Sequence, residues 1–175
     1  YRFRAVFENF GGTVGTVDMT KQVASISRPN LNMNPFPLHV YNSVVNLVGK
    51  PTWEAVTVTL RDDAGNNVSK LVGQQIQKQM DFVEQASAAT AQDYKFQINY
   101  EVLDGGNGAT TPQVLETWEM DGCFLTQADY CEVNYGSNEA ATITMQMRFD
   151  NALQIPQGSG IGVSVERTNG STATS

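Results

Sequence analysis

The sequence has few charged residues, which make up 17% of the 175-residue chain, against roughly 25% in most soluble domains. Acidic side chains outnumber basic ones by 18 to 11, so the composition does not favour the basic surface that tight binding of nucleic acid requires. Two cysteines are too few for a disulfide-stapled secreted scaffold, which favours a reducing compartment. No apolar run approaches the roughly 20 residues of a membrane-spanning helix, so no span is predicted.

The few charges are unevenly distributed along the chain. Residues 1–80 carry eight basic and five acidic side chains, whereas residues 81–139 carry eleven acidic side chains and one lysine. If strands from the two segments interleave, this asymmetry has no consequence for the surface. If they do not, the subunit has a positive and a negative surface that join neighbouring copies. Both interpretations remain open at the level of sequence.

Strict alternation of apolar and polar residues predicts a chain dominated by β-strands. The clearest case is residues 142–149, where four apolar side chains alternate with threonine, glutamine and arginine. A period of two places one face of such a strand in a core. The same pattern predicts strands over residues 56–60 and 96–102, and further strands are expected at residues 1–7, 38–48, 115–124 and, more weakly, 161–166.

One segment has the periodicity of a helix. Between residues 68 and 86, apolar side chains recur at the three- and four-residue spacing of an amphipathic helix. Asn66 or Asn67 is suited to cap its first turn. Gly73 weakens the helix by about 1 kcal/mol relative to alanine, so we expect it to depend on packing against a sheet.

The length of the chain suits a single domain over residues 1–175. Residues 34–37, which read Asn-Pro-Phe-Pro, predict a rigid turn, and the glycine-rich residues 11–15 and 104–108 predict loops. From about residue 151 to residue 175, we expect a C-terminal extension whose last residues are flexible.

The sequence contains few residues in the patterns that enzymes use for catalysis. His39 is the only histidine, and no nucleophile-elbow pattern supports a triad built on it. Cys123 and Cys131 are too far apart for a zinc knuckle, so free thiols are expected. Glu116 and Glu119 could form a glycosidase pair, but such pairs arise by chance in a chain with 18 acids. We therefore predict no enzymatic activity, no cofactor and no metal site.

Two parts of the sequence carry a resemblance to a known family. Residues 50–63 place a tryptophan at the entry of a Val/Thr strand that ends in an Asp-containing turn before the helix. Residues 118–125 and 133–150 form a strand, an Asn- and Glu-containing loop and a final alternating strand. Over roughly residues 36–150, this order resembles the tail tube proteins of contractile-tailed bacteriophages, which are related to the inner tube proteins of contractile injection systems.

The resemblance implies a mainly β fold, an antiparallel sandwich or barrel with one main amphipathic helix. It implies homohexameric rings that stack into a hollow tube, with strands of every subunit joining one continuous inner β-barrel. Tail sheath, baseplate and tail terminator proteins are the implied partners, and genome DNA passes through the lumen without specific binding. The implied location is the virion tail, after assembly in the host cytoplasm.

Loops between the predicted strands are candidates for ring-to-ring contacts, although plain solvent exposure explains any one of them equally well. The candidate residues are Gly11, Gly12, Gly15, Asp62, Asp63, Asn66, Asp104, Gly105, Gly106 and Asn107.

Alternatives remain within and outside this class. Residues 155–175 and the loop at residues 104–111 depart from the usual family pattern, which leaves open a baseplate-proximal tube initiator. The inner tube of a related contractile injection or secretion machine is a separate alternative, which differs in its cargo. A carbohydrate-binding β-sandwich, with Trp53 and Trp118 as a sugar platform, is a further alternative, followed by a hydrolase that uses Glu116 or Glu119.

Overall fold

The computed structural model describes residues 2–12, 15–63, 65–105, 112–132, 140–155 and 160–162. In these residues antiparallel β-structure dominates and helix is minor. The strands are β1 (Arg2–Glu8), β2 (Thr16–Asp18), β3 (Val23–Ile26), β4 (Leu31–Val40), β5 (Ser43–Trp53), β6 (Val56–Arg61), β7 (Met80–Asp81), β8 (Ala86–Ser87), β9 (Phe96–Leu103), β10 (Val114–Tyr130), β11 (Thr142–Arg148) and β12 (Asn151–Ile155). The helices are α1 (Asn67–Gln79) and α2 (Ala91–Tyr94).

Eight strands form one antiparallel sheet in the order β2-β1-β9-β10-β11-β6-β3, with β12 also paired to β10. The predicted alternation is confirmed, because every second side chain of β6, β9 and β11 is buried. These inward side chains meet in one core, whose largest fully buried members include Phe7, Phe10, Leu60, Ile98 and Met145. The described strands leave β2 and β3 at the two ends of the order, so they form an open sheet within the single chain.

The long strand β10 connects the two halves of the sheet. Its first part pairs with β9 and β12, and its second part pairs with β11. The register shifts between Met120 and Cys123, where Gly122 has φ +67°. A Cβ on Gly122 would lie 2.2 Å from Oδ2 of Asp150, so only glycine fits this bend. Because β10 changes direction here, both halves of the sheet cover the same core.

Helix α1 covers one end of the core. Asn66 occupies the predicted N-cap position but its side chain makes no capping hydrogen bond, and Val68 and Val72 are buried against the sheet. Gln75 is fully buried: its Oε1 accepts a hydrogen bond from the backbone N–H of Gly11 at 3.0 Å, and its Nε2 donates to the carbonyl of Tyr94 at 2.6 Å. Both polar atoms of this buried amide are therefore satisfied.

The helix ends earlier than the sequence pattern predicts. The apolar periodicity extends to residue 86, whereas α1 stops at Gln79 and β7 pairs with β8. The cause lies in Asp81, whose Oδ1 accepts hydrogen bonds from the backbone N–H groups of Val83 at 2.8 Å and Glu84 at 3.3 Å. These bonds hold the chain in a turn that competes with a further helical turn, and they lower the pKa of the Asp81 carboxyl.

Two other predictions need correction. Residues 34–37 form no turn but lie within β4, where proline is tolerated because β4 pairs with β5 alone among the described elements. Residues 38–48, predicted as one strand, contain the turn between β4 and β5. The predicted C-terminal extension begins with a strand of the sheet, since β12 pairs with β10 along its length. Most of the predicted strand at 161–166 lies outside the described residues.

Candidate assembly surface

In the described part of the chain, the hairpin of β4 and β5 is a separate two-stranded sheet, and the contacts that join it to the rest of the subunit lie at its base. There Trp53 is partly buried and packs its ring 5.5 Å from that of Phe149. Asn30 donates a side-chain hydrogen bond to Glu54 at 2.6 Å, and the backbone N–H of Glu54 donates to the carbonyl of Asn30 at 2.9 Å. These contacts fix the start and end of the hairpin, and nearly all of the rest is exposed.

One face of the hairpin is an apolar ladder. Phe36 lies opposite Leu47 and Leu38 lies opposite Val45, so these four side chains share a face. Nine large apolar side chains of the hairpin are at least 41% exposed: Met33, Phe36, Leu38, Val40, Tyr41, Val44, Val45, Leu47 and Val48. Counted over both faces and the tip of the hairpin, these side chains present on the order of 1,000 Å², which matches the ~800 Å² that each partner gives to a standard interface.

The tip of the hairpin carries a strained and fully exposed aromatic residue. Val40 pairs with Ser43, which leaves Tyr41 and Asn42 as a two-residue turn. Tyr41 has φ +49° and a relative exposure of 103%. A left-handed conformation costs a non-glycine residue about 1–2 kcal/mol, and such strain is concentrated at functional positions.

A bulge near the middle of the hairpin depends on one glycine. The register shifts between Met33 and Pro35. Gly49 lies opposite this point, and a Cβ there would be 2.1 Å from the carbonyl oxygen of Asn34. No side chain fits at that distance, so the shape of the hairpin requires glycine.

The glycine-rich loop predicted as a ring contact is held against the protein's own helix. Gly11 is buried, and the backbone N–H of Gly12 donates to Oε1 of Gln74 at 3.0 Å. Gly12 and Gly15 are exposed. The role of these glycines in ring contacts stays a prediction.

The second predicted loop caps the start of α1. Asp63 accepts two hydrogen bonds from Asn67, from its backbone N–H at 2.8 Å and its side-chain amide at 2.7 Å. These bonds lower the pKa of the exposed Asp63 carboxyl. Asp62 is half-buried and donates its backbone N–H to the carbonyl of Ala141 at 2.8 Å, while Asn66 is exposed in a left-handed conformation. Much of this loop therefore has a local structural role.

The third predicted loop lies at the other end of the β1–β9 pair from the first. Asp104 follows β9, and its Oδ1 accepts a hydrogen bond from the backbone N–H of Gln113 at 2.9 Å. Gly105 is exposed, whereas Gly106 and Asn107 lie outside the described residues. Because β1 and β9 are antiparallel, the structure does not bring the three loops together but places two of them at opposite ends of the sheet.

Strands from the two charge segments interleave in the sheet. Arg4 of β1 lies opposite Glu101 of β9, and their side chains form an ion pair at 2.5 Å. Arg28 also approaches Glu116 at 3.5 Å. Part of the charge asymmetry seen along the sequence is therefore neutralised within the subunit.

The structure gives no support to the sequence alternatives based on carboxylates or tryptophans. Glu116 shares a side of β10 with Trp118, whose Nε1 donates to it at 2.5 Å, whereas Glu119 hydrogen-bonds to the outward Gln97. The two carboxylates thus face opposite sides of the strand. Trp118 is buried and Trp53 partly buried, so they form no exposed platform.

The two cysteines are unpaired, as predicted. Cys123 is buried, and desolvation raises the pKa of its thiol to about 12, while Cys131 is exposed. In the described part of the chain, no group of three or more His, Cys, Asp or Glu residues is arranged to hold a metal ion. Neither described helix combines the length and apolar character needed to span a bilayer.

Solved structures with the same fold belong to contractile assemblies. A chain of the anti-feeding prophage baseplate, a six-fold symmetrised cryo-EM structure, matches with a TM-score of 0.66 and 12% identity over 89% of this chain and 93% of its own. A chain of the PVC sheath–tube complex, an extracellular contractile injection system in its extended state, gives 0.62 and 14% over 89% of both chains. The crystal structure of an Hcp protein gives 0.54 and 8% over 91% and 96%.

The chain has the fold of contractile-system tube proteins. These neighbours come from a prophage baseplate, a sheath–tube complex and an Hcp protein. No family model and no curated sequence matches the chain. The solved structures nevertheless confirm the fold that the order of strands and helix in the sequence led us to expect.

The exposed hairpin is the feature that sequence reasoning missed. Its signal was present, because residues 29–49 contain no Asp, Glu, Lys or Arg although they are rich in apolar side chains. Such a run is normally interpreted as core. The asparagines and prolines within it, which are rare in buried central strands, pointed instead to an exposed pair of strands.

Proposed function

We propose that this protein is a non-enzymatic structural subunit that assembles with copies of itself into rings stacked as a hollow tube. The observation that carries the proposal is the hairpin of β4 and β5, whose apolar face has no partner among the described elements of the isolated chain. A folded subunit with so large an apolar surface requires a partner. The fold shared with tube proteins makes another copy of the chain the expected partner.

Six subunits per ring are the expected arrangement, because a neighbour of this fold comes from a six-fold symmetrised assembly. In such a ring, the open ends of the sheet at β2 and β3 need partners too, since unpaired strand edges invite uncontrolled association. Closure of strands from all subunits into one inner barrel removes these edges.

The proposed cargo of the tube is genome DNA, as in the tail of a contractile bacteriophage. The net charge of −7 disfavours adhesion of phosphates. These charges include Glu119 and Asp121 on the polar face of β10, which would repel DNA if that face lines the lumen. Sheath, baseplate and terminator proteins are the proposed partners, and the virion tail, assembled in the host cytoplasm, is the proposed location.

A second candidate function is the inner tube of an extracellular injection or secretion machine. The observation that favours it is the source of the structural neighbours, which include an extracellular contractile injection system and an Hcp protein. Such a tube differs from a phage tail in its cargo, not in how its subunits fold.

Negative-stain electron microscopy of the purified protein tests the proposal. Rings, or tubes of the same width, are expected to measure more than twice the roughly 40 Å diameter of one domain of this length, because the hexamer places domains on both sides of a lumen. A monodisperse monomer at every concentration, with the hairpin still exposed, would overturn the proposal. Particles purified from the native source then distinguish the cargo, since only a phage tail is attached to a DNA-filled capsid.

A further inference from the structure

A cleft of about 630 Å³ opens at the end of the sheet near the base of the hairpin. Its floor is apolar and includes Phe3, Tyr100 and Leu115, with the rings of Phe3 and Tyr100 centred 6.1 Å apart. Its rim is polar and includes Arg28 and Glu116. An apolar floor with a few polar groups at the rim is typical of a binding cleft.

Glu116 has unused hydrogen-bonding capacity at this rim. Its Oε1 accepts hydrogen bonds from Trp118 at 2.5 Å and from Nε2 of Gln154 at 2.6 Å. Its Oε2 makes only the 3.5 Å contact with Arg28 among the described residues. A hydroxyl group that enters the cleft would find a half-buried, oriented acceptor there.

The tip of the hairpin has the complementary chemistry. Tyr41 is fully exposed, strained and uncharged, and it combines a large apolar ring with one hydroxyl group. Arg28, whose side chain is 61% exposed, can cover the face of such a ring by a cation–π contact. We infer that Tyr41 of one copy of this chain inserts into the cleft of the next copy and donates its hydroxyl hydrogen bond to Glu116.

The occupant has to come from a second copy. Arg28 lies three residues before β4, so the cleft is next to the base of its own hairpin. Tyr41 lies ten residues beyond Leu31, at the far end of continuously paired strands, which is about 30 Å at the rise of a β-strand. A paired hairpin of this length does not fold back onto its own base. The contact therefore joins the tip of one subunit to the base of another, a head-to-tail arrangement that propagates along a ring or a stack.

This inference rests on the proposed function, because it specifies which surfaces join the subunits of the tube. It predicts that a disulfide between copies forms when cysteines replace Tyr41 and Leu115. Subunits carrying Cys131→Ser and Tyr41→Cys are mixed with subunits carrying Cys131→Ser and Leu115→Cys and are then oxidised. A covalent dimer is expected from the mixture, and a ladder of multimers from the chain that carries both cysteines. The control mixture pairs Val83→Cys, an 89% exposed apolar position on another turn, with Leu115→Cys and is expected to remain monomeric.

Two results would overturn the inference while leaving the proposed function in place: rings or tubes visible by microscopy without the cross-link, or a disulfide within a single chain. A wild-type protein that never assembles would overturn both. A second measurement uses substitutions without a cross-link. Tyr41→Ala is expected to raise the concentration needed for assembly about thirtyfold, whereas Tyr130→Ala, at a 49% exposed tyrosine, is expected to leave it unchanged. Equal effects of these two substitutions would also overturn the inference.

Discussion

Replacement of Phe36 by serine is expected to weaken assembly without unfolding the subunit. Phe36 is 59% exposed on the apolar face of the hairpin and pairs across the strands with Leu47. Phe82 is 60% exposed but lies on the β7–β8 turn, outside the hairpin. Phe82→Ser is therefore a matched control, because it removes the same side chain at the same exposure.

The size of the effect follows from the area that Phe36 offers to a neighbour. A phenylalanine with about 200 Å² of surface and 59% exposure can bury about 120 Å², which is about 3 kcal/mol at 25 cal/mol/Å². Complete burial makes this an upper value, and it corresponds to about a hundredfold rise in the concentration needed for assembly. The loss in the isolated subunit is limited to one cross-strand pair, about 0.2–1 kcal/mol.

Two assays separate these effects. Sedimentation velocity over a dilution series gives the concentration at which assemblies appear, and thermal unfolding of the dissociated subunit gives its stability. We expect a large shift in the first and little change in the second for Phe36→Ser, and little change in either for Phe82→Ser. Equal shifts for the two variants, or an unfolded Phe36→Ser subunit, would refute the assignment of the hairpin as the assembly surface.

Four further predictions concern the hairpin, the helix cap, the thiols and the charges. Gly49→Ala forces a Cβ against the carbonyl of Asn34, so hydrogen exchange of the hairpin amides should accelerate about 5- to 150-fold, as expected for about 1–3 kcal/mol of strain. Asp63→Ala should lower the melting temperature at pH 7, because it removes the hydrogen bonds that the Asp63 carboxylate accepts from Asn67. The pKa of this carboxyl in the folded subunit is below 3.8, so the difference in melting temperature between variant and wild type should shrink only as the pH falls below 3.8. A thiol reagent at pH 8 should label Cys131 in the native subunit and reach Cys123 only after denaturation, since burial raises the pKa of Cys123 to about 12. If opposite surface charges join the rings, high salt should shorten tubes and leave rings populated, and tubes of equal length at low and high salt would contradict this.

Local alternation was sufficient to predict most of the sheet. Residues 142–149 and 96–102 have one apolar face each, and a strand with one apolar face has only one way to bury it. The bend in β10 was not predicted, because it depends on the contact between Gly122 and Asp150, which are far apart in the sequence. The end of α1 was misplaced for a related reason: a periodicity count does not register the turn that Asp81 stabilises.

The loop residues selected as ring contacts stay a prediction, and the exposed hairpin was not foreseen. Those loops were selected from their glycine and aspartate content, and in the structure Gly11 and Asp63 make hydrogen bonds that organise the side and the start of α1. The strand around Leu38 was predicted as ordinary sheet. An apolar strand has the same sequence pattern whether it is buried in the core of its own subunit or against another subunit. Only the three-dimensional structure distinguishes these two kinds of burial.

The structure separates folding from assembly. The core cluster draws on both halves of the sheet and on α1, but it includes no side chain from residues 31–52, and Trp53 is the only hairpin residue packed against it. The subunit can therefore fold while its apolar hairpin is still exposed, and the free energy of burying that hairpin becomes available when subunits meet. This division explains why substitutions on the hairpin should act on assembly, whereas substitutions at core positions such as Ile98 should act on folding itself.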